Sequence, residues 1–109
     1  MPYSEELAER VRQATLRRKG ISEKKMFGGV GFFCEGHLFI GIMKEALLVR
    51  LAVEQAAYAL REPHVKVFDL TGRVMKGWVV IAAEALADDA RLKDWIRQSL
   101  AFVKSLPSK

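Results

Sequence analysis

Lys24-Lys25-Met26-Phe27-Gly28-Gly29-Val30-Gly31-Phe32-Phe33-Cys34-Glu35-Gly36-His37-Leu38-Phe39-Ile40-Gly41 is the stretch on which the fold turns. Apolar residues are dense here, and glycine recurs at 28, 29, 31, 36 and 41. Glu35-Gly36, between Phe32-Phe33-Cys34 and His37-Leu38-Phe39-Ile40, reads as a short hairpin turn. Met43-Lys44-Glu45-Ala46 reads as the next turn and leads into Leu47-Leu48-Val49-Arg50-Leu51. The pattern predicts a meander of three antiparallel strands, with Gly41 marking a bulge or a close backbone approach. Lys24 to Gly29 forms the corner before it. A second motif of the same make-up stands at Met75-Lys76-Gly77-Trp78. Each motif sets a cation beside an apolar side chain and a glycine. Glycine permits positive φ and tight contacts, and lysine buries its stem while its ammonium stays wet. A glycine-shaped sheet corner with a positive rim is the expected result.

Outside this stretch the periodicity becomes helical. Ser4 is an N-cap candidate, with Glu5 and Glu6 in the following turn and Leu7, Val11 and Ala14 on one face. The spacing predicts a helix over about residues 4 to 18, stopped by Gly20, with Arg17-Arg18-Lys19 at the negative end of its dipole. Val53 to Arg61 reads as a short helix with Val53, Ala56, Ala57 and Leu60 on one face, limited by Pro63. Val65-Lys66-Val67-Phe68 alternates as a strand, Thr71-Gly72 is a turn, and Val74-Met75 with Trp78-Val79-Val80-Ile81 forms a second hairpin region. Asp88-Asp89 begins the last helix, where Leu92, Trp95, Ile96, Ser99, Leu100 and Val103 share a face and Pro107 follows the end. This order of elements predicts one α+β domain over residues 1–109. It is a mostly antiparallel sheet of hairpins carrying an N-terminal helix, a short middle helix and a C-terminal helix.

Composition narrows the function classes. A chain of 109 residues, half of them hydrophobic, builds one core without metal or disulfides. The net charge of +5 favours weak association with polyanions. Direct, weakly specific nucleic-acid binding through a basic patch is therefore an alternative to protein binding, although no helix reads as a basic recognition helix. Arg91, Lys93 and Arg97 alternate with Asp88, Asp89 and Asp94, as on a solvated helix face. Cys34 is the one cysteine and has apolar neighbours, so it reads as a small buried hydrophobe. No signal-peptide core and no span of about 20 apolar residues occurs, so the expected location is the cytoplasm, with no membrane partner. His37 and His64 lack further ligands at metal spacing. Cys34 and His37 straddle the hairpin turn without a third orienting group. Gly28-Gly29 lacks the residues of a phosphate-binding loop. The expectation is no enzyme, no metal and no cofactor.

Several of these stretches together resemble the N-terminal domain of TfoX/Sxy-type competence regulators. They are Lys24-Lys25-Met26-Phe27-Gly28-Gly29, the hairpin strands after it, Glu62-Pro63-His64, Thr71-Gly72-Arg73, Met75-Lys76-Gly77-Trp78 and the closing helix that ends in Ser105-Leu106-Pro107. The resemblance runs over essentially the whole chain and matches the stand-alone form, without the helical C-terminal domain of the founding regulators. Relatives often have Pro where Val74 stands. The resemblance implies a small bacterial α+β domain that works with transcription machinery, and it supplies no catalytic residues. The candidate partner-binding residues are Lys24, Lys25, Met26, Phe27, Gly28, Gly29, Arg50, Arg73, Met75, Lys76, Gly77 and Trp78. The expected partner is a protein in a transcription context, and a homodimer through the terminal helix or a sheet edge is also compatible. Two residues have competing readings. Trp78 is either a core residue, the favoured choice, or an exposed interface anchor. Arg50 either pairs with an acid such as Asp69, the favoured choice, or joins Lys24, Lys25, Arg73 and Lys76 in a positive patch.

Overall fold

The Leu7 amide donates to Ser4 Oγ at 3.1 Å, which caps helix α1 (Glu5–Ala14). A computed structural model describes residues 3–26, 28–70 and 72–107 of the chain. α1 stops at Ala14, short of residue 18, and Arg17-Arg18-Lys19 lies beyond its end. The cause is Thr15, whose hydroxyl donates back to the Val11 carbonyl at 3.0 Å. Such a local bond competes with helix continuation.

Six strands follow in one antiparallel sheet: β1 (Ile21–Met26), β2 (Gly29–Cys34), β3 (His37–Met43), β4 (Ala46–Arg50), β5 (Val65–Leu70) and β6 (Arg73–Ile81). Their spatial order is β1-β2-β3-β4-β6-β5. Helix α2 (Val53–Ala59) connects β4 to β5, and a 3-10 turn at Ala83–Leu86 leads to helix α3 (Asp89–Lys104). The α+β arrangement of a sheet with three helices is as expected.

The meander has four strands rather than three. The additional one is β1, whose Ser22, Glu23, Lys24 and Lys25 are all exposed. A wet edge strand needs no apolar alternation, and its lysines discourage pairing with another sheet. The β2–β3 turn has φ of 53° at Glu35 and 84° at Gly36, the two positive values of a type I′ hairpin. The expected second hairpin region is present as the antiparallel pair β5–β6, and Val74-Met75 and Trp78–Ile81 both lie on its second arm. They belong to the single strand β6, which turns back on β5.

Alternation sorts the sheet into two faces. Val30 and Phe32 of β2, Ile40 and Ile42 of β3, Leu47 and Val49 of β4, and Val79 and Ile81 of β6 are cross-strand neighbours. All are buried in the core. α3 covers them with Leu92, Trp95, Ile96, Ser99, Leu100 and Val103, the face its periodicity predicts. Ser99 Oγ lies 2.8 Å from the Phe39 carbonyl and 2.6 Å from the Arg50 carbonyl, so one hydroxyl fastens α3 to β3 and β4. α2 buries Ala56 and Ala59, while Val53 is 55% exposed and Leu60 36% exposed. Of the expected face only Ala56 is buried, and Val53, Ala57 and Leu60 are exposed, because a seven-residue helix lying close to β6 docks through its small side chains. Gln55 of α2 donates to Gln98 of α3 at 2.8 Å.

Candidate functional site

The opposite face of the sheet is built from different residues. Gly31 faces Gly41 across β2 and β3, and this pair places no side chain at the middle of the sheet. Neighbours lean into the space: a Cβ on Gly31 would lie 2.7 Å from Leu38 Cδ1 and 3.0 Å from Met26 Sδ. The result is a half-open apolar trough of about 390 Å³. Its walls include Met26, Leu38, Met43, Leu48, Phe68, Met75 and Trp78, and none of its lining residues comes from a helix. Met26 belongs to one edge strand and Phe68 to the other. Six flat strands would spread over about 24 Å, so the sheet curves around the trough to bring both edges to it.

Gly77 completes one wall. Its φ of 86° lies in the region glycine adopts freely, and its carbonyl accepts from the Leu51 amide at 2.7 Å. A Cβ there would approach the Leu51 carbonyl oxygen at 2.9 Å. The irregularity brings Met75 and Trp78, three positions apart, to the same trough. Trp78 is thus not a core residue. It is paired with Arg50 in the register, is half-buried on the face away from the helices, and sits 6.4 Å from the Phe68 ring at an interplanar angle of 56°. Its neighbours Val79 and Ile81 take the core positions.

Arg50 does not pair with Asp69. It closes β4 with its guanidinium 5.6 Å from the ring centroids of both Trp78 and Phe102, within cation–π range. This contact ties a trough residue to α3.

The ion pairs lie elsewhere. Arg12 grips Glu23 at 2.8 and 2.9 Å and also pairs with Glu9, and Arg10 meets Asp89 at 3.1 Å. Arg91–Glu62, Lys93–Asp89 and Arg97–Asp94 complete the set. Hydrogen bonds from Arg12 hold the Glu23 carboxyl below its ordinary value, and those from Gln13 and Arg12 do the same for Glu9. The bond from Arg10 lowers Asp89. Every one of these groups sits on a helix or on the helix-side positions of β1 and the α2–β5 connection. By register, the charged residues on the trough face are Lys24, Lys66, Arg73 and Arg50, all cations. None of them forms an ion pair among the described residues.

Of the residues singled out in the sequence, Met26, Gly29, Met75 and Trp78 line the trough together. Lys24 and Arg73 share its face. Lys25 and Lys76 are exposed and alternate to the other side of their strands. Gly28, with φ of 75°, makes the β1–β2 turn, and Phe27 lies outside the described residues. Sequence reasoning missed Gly31, Leu38, Gly41, Met43, Leu48 and Phe68. The available signal was the alternation Gly29-x-Gly31, which strips one strand face of side chains.

Cys34 and His37 are cross-strand neighbours, both buried. His37 Nε2 donates to the Pro107 carbonyl at 2.6 Å and its Nδ1 has no partner. This pair is on the helix side of the sheet, away from the trough. Among the described residues no group of three or more His, Cys, Asp or Glu is placed to hold a metal. No described helix is long and apolar enough to cross a membrane.

A family model described as the TfoX N-terminal domain matches residues 13–103. The chain belongs to the TfoX N-terminal domain family. The matched span runs from the end of α1 through all six strands to the last turn of α3, so the trough lies wholly within the family domain. No curated protein and no solved structure matches the chain.

Proposed function

We propose that this protein is a non-catalytic regulatory module of the competence-regulator type, which acts by docking a protein partner in a transcription context. One observation carries the reading: a half-open apolar trough lies at the centre of the sheet face turned away from the helices, and most of its side chains are only half-buried. Fully burying a Met, Leu or Phe side chain contributes about 1.5–3 kcal/mol. The trough keeps several such side chains half-wet, and a partner gains by covering them. All twelve lining residues are apolar or glycine, so no acid, base or nucleophile converges there. This favours binding over catalysis. Family membership supplies the regulatory context.

The test is affinity capture from the native cell with wild type, Met75→Glu and Lys104→Glu, the last on the exposed helix side. Met75 is only half-buried, and a thermal melt confirms that the variant folds. The expected result is a partner retained by wild type and Lys104→Glu and lost with Met75→Glu. Recovery of the same partners by all three proteins rules the trough out.

A further inference from the structure

We propose that the trough's occupant is an amphipathic protein segment whose apolar side chains are flanked by Asp or Glu. The proposal rests on the docking reading above and specifies the partner's chemistry. Two properties of the same face support it. The trough is lined by Met26, Met43 and Met75 around a glycine floor. Methionine is flexible and polarisable and adapts to irregular apolar surfaces, the use made of it in grooves that receive amphipathic helices. The fringe is the second property: Lys24, Arg50, Lys66 and Arg73 share the face, and register places no Asp or Glu among them. The acids that pair with arginines and lysines are on the other side of the molecule. A segment with an apolar stripe and acidic flanks therefore matches both the floor and the fringe.

Charge also discriminates against other occupants. A second copy docked trough to trough would bring two cationic fringes together without intervening acids, and like charges suppress such pairing. A nucleic acid would satisfy the cations. However, the floor beneath them is glycine and methionine, and Trp78 and Phe68 pack against each other at an angle rather than standing free as stacking platforms.

Three model helices test the assignment. They share leucine at i, i+3, i+4 and i+7 and differ only in Glu, Gln or Lys at the flanking positions. Binding is followed by the methyl signals of Met26, Met43 and Met75 and the indole signal of Trp78, at low and high salt. The Glu helix is expected to bind about tenfold tighter than the Gln helix at low salt, with the advantage shrinking as salt rises. The Lys helix should be the weakest. The double variant Lys24→Glu/Arg73→Glu should remove the advantage of the Glu helix while the Gln helix binds as before.

Equal affinity for the Glu and Gln helices at the trough overturns the acidic assignment and leaves the docking reading standing. Shifts confined to α1 or α3 overturn both. Stronger movement of the same signals by a single-stranded oligonucleotide overturns the assignment in favour of nucleic acid. Sedimentation of the free protein as a dimer that hides the trough overturns it in favour of a second copy.

Discussion

One sheet presents two unlike faces in this molecule. Toward the helices it shows Val30, Phe32, Ile40, Ile42, Val49, Val79 and Ile81, stiff side chains packed without access to water. Away from them the intervening positions of the same strands are Gly31, Gly41, Met43, Leu48 and Trp78. The first set interlocks with α3, and its branched and aromatic members fix one packing. The second set leaves a hollow, and its flexible members fit more than one shape. Strand alternation thus separates a face that packs the core from a face that leaves a hollow. Charge follows the same division among the described residues: paired and mixed in sign over the helices, cationic and without ion pairs around the trough.

The sharpest way to break the comparison is truncation on either side. Trp95→Ala, in the core, is expected to cost about 3–5 kcal/mol by chemical denaturation. Met43→Ala, half-buried at the trough, should cost under about 1 kcal/mol, because its side chain loses little packing. Equal costs would mean that the trough belongs to the folding core.

Gly77→Ala comes next. At a φ of 86°, 2.9 Å from the Leu51 carbonyl oxygen, the added methyl is expected to cost about 2 kcal/mol. It should also shift the Trp78 indole signal, since Gly77 aims Trp78 at the trough. A neutral change would detach the glycine from the trough's shape. Ser99→Ala leaves the buried Phe39 carbonyl and the half-buried Arg50 carbonyl without their shared donor and should cost about 1.5 kcal/mol, with faster amide exchange where α3 meets β3 and β4.

The smallest effect is electrostatic. Glu23 titrates below its ordinary 4.5 in the folded protein because Arg12 hydrogen-bonds its carboxylate. The stabilisation is therefore complete above about pH 4.5 and disappears as pH falls through the lowered folded value. Both groups are partly exposed and screened by solvent, so Glu23→Gln should cost about 0.5 kcal/mol at neutral pH and nothing in acid. A cost that persists in acid would assign the effect to packing.

The helix face was legible because helical period states burial directly. Leu92, Trp95, Ile96, Ser99, Leu100 and Val103 were all identifiable from spacing and are all buried. The Glu35-Gly36 turn was legible from its glycine between two apolar runs. Strand β1 was not, since Ile21-Ser22-Glu23-Lys24-Lys25-Met26 is held by its neighbour's backbone and shows no apolar rhythm of its own. The placement of Trp78 was hidden for a different reason. A run apolar on both faces gives no sign of which face the helices take, and Gly77 shifts the alternation beside it. Met26 and Met75 were marked as candidates, but their meeting with Phe68 depends on sheet curvature, which is a property of six strands together. Arg50 had the wrong partner, because its two aromatic neighbours are distant in sequence.

The most direct measurement is hydroxyl-radical footprinting of the protein, free and in the complex recovered through wild-type capture. If the trough face is the contact surface, Met26, Met43, Met75 and Trp78 lose reactivity in the complex, while exposed Leu16 and Tyr58 outside the trough keep theirs. Unchanged reactivity at the methionines and Trp78, with protection over α1 or α3, would contradict the account.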